Sequence, residues 1–242
     1  MQPRRRRGGI WADIDACYKR AVRIPLHEGA SRPVIDLHPT KIVCIGANYR
    51  AHVKEMGKEV PDEPVLFMKP PSALLPPGEP IVRPRGYERV DFEGELAVVI
   101  GRRARRVSAA RALDVVLGLT IVNDVTVRDL QQKDGQWTRA KGFDSFCPLG
   151  PAIVAGVDPA DLRIATRVNG ETRQDSRTSD LIFAVPFLIE FISRHMTLEP
   201  GDVISTGTPA GVGNLAPGDR VAVEIEGIGI LENPVIEGEP SP

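Results

Sequence analysis

The chain has 242 residues, of which 42% are hydrophobic and 26% are charged, a composition typical of a soluble globular protein with a sizeable core. Its 31 basic and 32 acidic side chains give a formal net charge of −1, so neither nucleic acid nor a membrane surface is expected as a partner. The cysteines are widely spaced and no apolar secretory stretch opens the sequence, which predicts reduced thiols in a cytoplasmic protein without membrane spans. The basic run Arg4–Arg7 is interpreted as a solvated tail.

The predicted elements are short and mostly extended, because 23 glycines and 22 prolines interrupt the apolar runs. Residues 1–40 are interpreted as a short N-terminal leader, with a helix over 10–22 and a linker over 29–33, and residues 41–242 as the main domain. Strands are predicted at 41–45, 65–68, 91–100, 118–123, 162–169, 171–174, 202–206, 220–225 and 228–233. Helices are predicted at 48–56, 109–116 and 181–194. The dipeptide Asn169-Gly170 favours a hairpin turn, and the fold class is a mixed α/β fold rich in strands.

Two carboxylates, Glu93 and Glu95, open a predicted strand whose continuation, Leu96–Ile100, is apolar throughout. Residues two apart in a strand face the same way, so these carboxylates are expected side by side. An unbroken apolar run is typical of a strand buried on both faces, where paired carboxylates repel each other unless a cation neutralises them. A solvent-facing strand surface is the alternative. Gly94 between them leaves room for a ligand or another backbone to approach.

A third carboxylate, Asp124, follows the predicted buried strand at 118–123. Polar residues just beyond a buried strand often form sites, although Asn123-Asp124 is equally compatible with a simple turn. Three carboxylates without His or Cys suit Mg²⁺ or Mn²⁺ rather than Zn²⁺. They would leave positions open on the ion for water or substrate, as a catalytic metal requires.

Other candidate residues surround this set in the sequence. His52 and Glu55 are three apart in a predicted helix, so the carboxylate can orient the imidazole as a general base; an incidental surface pair is the alternative. Lys141, between Gly and aromatic residues, is a candidate anchor for a substrate carboxylate, and Arg128 and Gln131 are candidates to bind polar substrate atoms. The Gly-rich run at 205–213 lacks the nucleotide-binding signatures, and we interpret it as a loop that brings its backbone and Thr208 close to a small ligand.

Motifs spread over residues 41–236 resemble, in their order, those of the fumarylacetoacetate hydrolase superfamily. Several motifs in the same order are far more specific than any one of them. They are Asn48-Tyr49-Arg50 with His52 and Glu55, Val65-Leu66-Phe67-Met68-Lys69-Pro70, Asp91-Phe92-Glu93-Gly94-Glu95-Leu96, Asn123-Asp124-Val125-Thr126 with Arg128-Asp129, Lys141-Gly142-Phe143-Asp144, Cys147-Pro148-Leu149-Gly150-Pro151, and Thr206-Gly207-Thr208-Pro209-Ala210-Gly211-Val212-Gly213.

The resemblance implies a mixed β-roll fold with short flanking helices, usually as a homodimer, and it makes residues 41–242 the catalytic domain. It implies that Mg²⁺ or Mn²⁺ is held at Glu93, Glu95 and Asp124, and that His52 and Glu55 lie on a lid-like segment that activates water. It further implies substrate contacts from Lys141, Gln131 and Thr208. Only about 40 residues precede the first motif, so the extra small N-terminal domain of many bacterial members is expected to be reduced or absent.

Members of the superfamily act on 2-oxo or 1,3-dioxo acids through an enolate. The expected function is therefore hydrolysis of a C–C bond in an acylpyruvate or a related acid, which the His52–Glu55 pair favours. Oxaloacetate decarboxylation is an alternative, as is isomerisation or hydration of 2-hydroxymuconate-type dienoates in aromatic catabolism. A protein that binds small acids without catalysis is the alternative outside the enzymes.

Overall fold

The computed structural model describes residues 21–239. The run Arg4–Arg7, Cys17 and nearly all of the helix predicted over 10–22 lie outside this range. Within it, short strands dominate and the helices are few and short, as the sequence predicts. None of the helices between residues 21 and 239 is long and apolar enough to cross a membrane.

The elements follow one another closely along the chain. The strands are β1 (Val22–His27), β2 (Val34–Leu37), β3 (Ile42–Gly46), β4 (Val65–Lys69), β5 (Leu74–Leu75), β6 (Ile81–Arg83), β7 (Val90–Phe92), β8 (Gly94–Ile100), β9 (Val116–Asn123), β10 (Thr126–Val127), β11 (Cys147–Val154), β12 (Arg163–Val168), β13 (Glu171–Arg177), β14 (Val203–Ser205), β15 (Gly213–Asn214), β16 (Arg220–Ile225) and β17 (Gly229–Glu237). The α-helices are α1 (Arg50–Glu55), α2 (Arg128–Asp134), α3 (Thr138–Lys141) and α4 (Val185–His195), and 3₁₀ helices cover Pro71–Ala73, Ala109–Val115 and Thr178–Asp180.

The strands form three sheets, two of them large. The largest has the order β2-β1-β11-β9-β8-β14-β3-β4, with β5 beside β11. A second sheet has the order β13-β12-β16-β17-β6, and a small third sheet has the order β10-β7-β15. Antiparallel pairs such as β8–β9 are mixed with parallel pairs such as β1–β11 and β3–β14. The predicted mixed, strand-rich fold is confirmed.

Strand β8 lies in the middle of the largest sheet and is buried along its whole length. Its alternate residues serve two different cores, as the period of two along a strand requires. Leu96 and Val98 pack in a core shared with the second sheet and α4, whereas Ala97 and Val99 pack in a core on the opposite face. A buried aliphatic side chain contributes about 1.5–3 kcal/mol by leaving water, so both faces hold β8 firmly in place.

The segment at 29–33, predicted as a linker, is instead the turn of a hairpin. Strands β1 and β2 pair antiparallel on either side of it, and β1 also lies parallel to β11. The turn uses Gly29 at φ +56°, a conformation that glycine adopts without steric cost. Residues 22–37 therefore extend the largest sheet, while the division of the chain at residue 40 stays a prediction.

Two further predicted elements have a clear outcome. Strands β12 and β13 form the hairpin expected at Asn169-Gly170, whose residues have φ of +53° and +83°, as a type I′ turn requires. The helix predicted at 181–194 begins only at Val185. Pro186 explains the late start, because proline lacks an amide proton and is favoured in the first turn of a helix.

Candidate metal centre

The strand predicted at 91–100 is interrupted at Glu93, and the candidate site lies at this interruption. Strand β7 before it belongs to the small sheet, whereas β8 after it belongs to the largest sheet. The strand that pairs with this segment changes at the same point. Strand β8 pairs antiparallel with β9, strand β7 pairs antiparallel with β10, and Asp124 lies between β9 and β10. At this crossing the amide of Asp124 donates to the carbonyl of Glu93 over 2.8 Å, and the amide of Glu93 donates to Oδ1 of Asn123 over 2.9 Å. Glu93 and Asp124 are therefore brought together by the backbone itself.

Three carboxylates meet at this crossing. Each of Glu93, Glu95 and Asp124 offers an oxygen within 4.8 Å of the others. Their exposed fractions are 5%, 2% and 0%, so the set is removed from bulk water. The side-by-side placement predicted for Glu93 and Glu95 holds, and Asp124 joins them from the neighbouring strand. Burial of three like charges is unfavourable unless cations compensate them.

Two buried lysines supply part of that compensation. The Lys141 ammonium donates to Glu93 Oε2 over 2.8 Å, to Asp124 Oδ2 over 2.6 Å and to the Thr126 hydroxyl over 2.8 Å. The Lys69 ammonium donates to Asp124 Oδ1 over 2.6 Å. Burial alone would lower the pKa of Lys141, but the charges of Asp124 and Glu93 outweigh it and raise that pKa well above its usual range. Lys141 is therefore charged.

Arg128 completes the compensation of Glu93 from the first turn of α2. Its guanidinium donates to Glu93 Oε1 over 2.5 Å and to Asp91 Oδ2 over 2.8 Å. Burial alone would raise the pKa of Glu93, but Arg128 and Lys141 hold that pKa well below its usual range. A third bond runs from Arg128 to Gln131 Oε1 over 2.8 Å, so each of the three guanidinium nitrogens donates one hydrogen bond to the protein.

Glu95 differs from its two neighbours because none of the described residues gives it a cationic partner. Its Oε2 accepts hydrogen bonds from the Ser205 hydroxyl over 2.5 Å and from the Gly207 amide over 2.8 Å. Its Oε1 accepts none from residues 21–239. Burial, followed by the charges of Asp124 and Glu93, raises the pKa of Glu95 to about 8. Glu95 is the position at which the site lacks positive charge.

The space beside Gly94, expected to admit a ligand or another backbone, is occupied by side chains of the second sheet. A Cβ atom on Gly94 would lie 2.3 Å from Thr166 Oγ1, 2.9 Å from Val223 Cγ1 and 3.2 Å from Gln174 Oε1. The Gly94 amide donates to that Gln174 oxygen over 3.1 Å. The glycine thus lets the second sheet pack directly behind the carboxylates.

Replacing Gly94 with alanine is therefore expected to destabilise the protein by about 1–3 kcal/mol, the usual cost of overpacking a buried position. Urea unfolding monitored by circular dichroism would measure this free energy. Gly213→Ala is the matched control, since its Cβ would approach nothing closer than 3.4 Å. Equal stability of the two variants would show that the contact between the sheets tolerates the extra methyl group.

Thr208 lies behind the same strand and is tied to it. Its hydroxyl donates to the Gly94 carbonyl over 2.9 Å and accepts from Gln174 Nε2 over 2.7 Å. The residue still lines the pocket above the carboxylates, so the substrate contact implied by the resemblance stays a prediction. Gln174 itself was not foreseen, because a single buried amide on an otherwise polar strand carries no sequence signal.

His52 and Glu55 lie together on α1 at the wall of this pocket. The imidazole Nδ1 is 3.0 Å from Glu55 Oε2, and the ring is buried at 4% exposure. The Gly211 amide donates to both oxygens of Glu55, over 3.2 and 3.3 Å, so the carboxylate is held from the Gly-rich loop. The second ring nitrogen, Nε2, has no hydrogen bond to any residue of the described chain. The predicted pair is thus an oriented imidazole with one nitrogen unengaged.

The inner pocket, defined by these groups, is a small cavity of about 50 Å³. Phe67 and Trp137 form one wall, with ring centroids 5.1 Å apart, and the Lys141 ammonium lies 4.6 Å from the Phe67 centroid. Gly46 makes room for the indole, because a Cβ atom there would lie 2.8 Å from Trp137 Cζ3. All predicted site residues except Glu55 and Asp124 line this pocket; Glu55 lies behind His52, and Asp124 lies beneath Lys141.

Lys69 and Asp91 belong to two of the sequence motifs, but no role in the site was predicted for either. Lys69 bonds Asp124, and Asp91 receives Arg128 together with Arg89, whose Nε lies 2.9 Å from Asp91 Oδ1. A lysine that ends an apolar strand, and an aspartate two residues before a predicted ligand, were the available signals. Both are nearly or fully buried, at 1% and 0% exposure.

Comparison with known proteins identifies the family of this chain. The profile of the fumarylacetoacetate (FAA) hydrolase C-terminal family matches residues 41–236. The chain belongs to this family. FAA hydrolase relatives include an uncharacterised protein of Methanocaldococcus jannaschii, 54% identical over 87% of this chain and 89% of its own length. Another is the oxaloacetate tautomerase YisK of Bacillus subtilis, 45% identical over 81% of this chain and 70% of its own length.

Solved structures agree with the FAA hydrolase assignment. One is a 5-carboxymethyl-2-hydroxymuconate delta-isomerase from Mycobacterium smegmatis, 52% identical, with a TM-score of 0.80 over 84% of this chain and 81% of that one. Another is the fumarylpyruvate hydrolase of Pseudomonas aeruginosa in complex with Mn²⁺ and pyruvate, 31% identical, with a TM-score of 0.82 over 90% of this chain and 97% of that one. FAA hydrolase relatives are thus enzymes of several reaction types, and this chain is an enzyme of the same superfamily.

Proposed function

We propose that the protein is a divalent-cation-dependent enzyme that interconverts the keto and enol forms of an oxaloacetate-like 2-oxo acid. The observation that carries this proposal is the buried set of Glu93, Glu95 and Asp124 next to an oriented imidazole with one unengaged nitrogen. The 45% identity to an oxaloacetate tautomerase of Bacillus subtilis supports the choice of reaction. Hydrolysis of an acylpyruvate, the reaction predicted from the sequence, is the second candidate.

The donor set fits Mg²⁺ or Mn²⁺. The ligand atoms are all carboxylate oxygens, which hard cations prefer, and Glu95 has no cationic partner among the described residues. Around the crossing, the buried carboxylates of Asp91, Glu93 and Asp124 are each ion-paired with at least one of Lys69, Lys141, Arg128 and Arg89, whereas Glu95 is ion-paired with none of the described residues. A divalent ion held by Glu93, Glu95 and Asp124 would supply the missing charge. The Mn²⁺ in the structure of the fumarylpyruvate hydrolase from Pseudomonas aeruginosa supports the same class of ion.

A divalent cation at this place would supply Lewis-acid stabilisation of the negative charge that develops on the 2-oxo oxygen. The residues of the chain supply the proton transfer. His52 Nε2 accepts a proton from the carbon next to the 2-oxo group, and the C–H electron pair becomes the C=C bond of the enolate. Glu55 fixes the proton on Nδ1 and stabilises the imidazolium that forms. Return of the proton to the 2-oxo oxygen gives the enol, and the reverse sequence gives the ketone.

Hydrolysis is the second candidate because the His52–Glu55 pair can also activate water. In that reaction His52 removes a proton from water, the hydroxide oxygen bonds to the distal carbonyl carbon, and the C–C bond breaks to leave the pyruvate enolate, which then takes up a proton. The same pair can serve both reactions, because each needs a base beside a carbon atom of the substrate. The 31% identity to a fumarylpyruvate hydrolase supports this candidate.

The experiment that tests the proposal is a screen with the metal-depleted enzyme and with added Mg²⁺ or Mn²⁺. We expect loss of the ultraviolet absorbance of oxaloacetate enol in the presence of the metal and none above background without it. Analysis of pyruvate and CO₂ separates tautomerisation from hydrolysis of acetylpyruvate and from decarboxylation. Binding of these acids without any turnover would contradict the proposed function and favour a small-acid binding protein.

The assembly state is a separate proposal. On the resemblance to its superfamily we propose a homodimer, and the cytoplasmic location also stays a prediction from the sequence. Light scattering of the purified full chain would measure the mass directly. A mass of one chain, about the 26.3 kDa of the sequence, would contradict the dimer without affecting the proposed chemistry.

A further inference from the structure

A second hollow, which we call the outer basin, opens beyond the inner pocket. It has a volume of about 660 Å³ and shares six lining residues with the inner pocket. The shared residues are His52, Met56, Lys58, Arg128, Gln131 and Trp137. A substrate whose reacting end lies near the three carboxylates would therefore extend its other end past these residues into the outer basin.

The outer basin carries cationic side chains with hydrogen-bond donors that the described residues do not use. Lys58 is exposed and lines both hollows, and its ammonium has no ion pair or hydrogen bond to any residue from 21 to 239. Arg89 lines the outer basin and bonds Asp91 through Nε, over 2.9 and 3.1 Å. Its two Nη atoms donate to nothing in the described chain. These free N–H groups face a region where a ligand can reach them.

The remaining charged groups of the outer basin are already engaged. Arg128 bonds Glu93, Asp91 and Gln131. Glu55 is the one carboxylate among the lining residues of the basin, and His52 and the Gly211 amide hold it. The unengaged charge of the basin is therefore cationic, which favours an anionic ligand group.

We propose that Lys58 and Arg89 are specificity-determining residues that bind a second carboxylate at the distal end of the substrate. The inference rests on the proposed function, because it takes the three carboxylates as the reacting end of the site. Within the oxaloacetate-like class proposed above, it assigns recognition of the distal carboxylate to these two side chains. Arg89 offers a planar pair of donors that suits a carboxylate, and Lys58 offers a mobile point charge.

The test compares two substrates that differ only in the distal charge, oxaloacetate and its 4-methyl ester, in Mg²⁺. Dissociation constants from titration calorimetry and kcat/KM are measured for the wild type, Lys58→Met and Arg89→Met. We expect each variant to weaken oxaloacetate binding about 10–100-fold, the usual effect of losing a charge-assisted hydrogen bond. The methyl ester should bind all three proteins within about twofold.

The controls separate this inference from structure and from the proposed function. Lys54→Met removes an exposed lysine of α1 that lines neither hollow, and it should leave both dissociation constants unchanged. Arg89→Lys should restore part of the selectivity. Equal binding of diacid and ester by the wild type, or equal loss of both in the variants, would overturn the inference. Selective binding without turnover would instead refute the proposed function and leave the inference standing.

Discussion

Replacing Glu95 with glutamine is expected to lower kcat/KM by about a thousandfold or more while the protein stays folded. The amide keeps an oxygen that can accept from Ser205 and Gly207 but removes the charge that the divalent cation needs. Stabilisation of a developing oxyanion by a metal amounts to several kcal/mol, and each 1.36 kcal/mol corresponds to about tenfold in rate. Steady-state kinetics in Mg²⁺ and Mn²⁺ measures the loss.

The melting temperature tests the role of Glu95 as a metal ligand in a second way. Without metal, Glu95→Gln is expected to melt higher than the wild type, because the wild type must either protonate Glu95, whose pKa is raised to about 8, or bury a charge that Asp124 and Glu93 repel. With excess Mn²⁺ the order should reverse, since only the wild type gains binding energy from the ion. Glu28→Gln, an exposed change near the β1–β2 turn, should shift neither melt. Retention of both activity and metal-dependent melting would refute Glu95 as a ligand.

Replacing His52 with alanine is expected to reduce kcat by about 10²–10⁴-fold, the usual contribution of a positioned general base. Metal-dependent thermal stabilisation should be retained, because His52 is not among the predicted ligands. Glu55→Gln should give a smaller loss, since it removes only the group that orients the ring. His195→Ala, a change of an exposed histidine on α4, should alter neither kcat nor the metal-dependent thermal stabilisation.

The His52 variant also separates the two candidate reactions. If hydrolysis is the main activity, acetylpyruvate cleavage should fall more than turnover of oxaloacetate, because only cleavage needs an activated water. Equal loss of both would indicate one shared proton transfer, as keto–enol interconversion requires. Unchanged kinetics with either substrate would contradict the role of the pair altogether.

Strand periodicity predicted the part of the site that lies on strands. A period of two predicted that Glu93 and Glu95 lie side by side. The apolar run before Asp124 predicted a second buried strand that ends at this carboxylate. Helical spacing likewise placed His52 beside Glu55. These inferences depend only on local geometry, so one chain segment contains all the information that they need.

The remainder of the site depends on contacts between distant segments. The sequence of residues 91–100 does not predict that the strand leaves one sheet for another at Glu93. The interruption depends on hydrogen bonds to Asn123 and Asp124, which are distant in sequence. Lys69 and Arg128 are recognised as partners of carboxylates only once β4 and α2 are placed. Pairing across tens of residues is fixed by tertiary packing, which propensity and periodicity do not encode.

The hairpin at 22–37 illustrates the same limit for the fold. Its turn contains Gly29 and Pro33, residues that a linker would also contain, and β2 has an exposed, partly polar pattern. Only the parallel contact of β1 with β11, through Leu26 and Ile153, reveals it as part of the sheet. A short edge hairpin is therefore easily mistaken for a connection when no partner strand is known.

The contrast between central strands and peripheral loops has a consequence for how new enzymes arise on this scaffold. Glu93, Glu95 and Asp124 are anchored where two buried strands exchange sheets, whereas Lys58 and Arg89 lie on connecting segments at the pocket mouth. Substitutions in those connections can change which acid is accepted without disturbing the buried strands beneath. Laboratory evolution aimed at a new substrate should accordingly diversify the mouth and leave the crossing untouched.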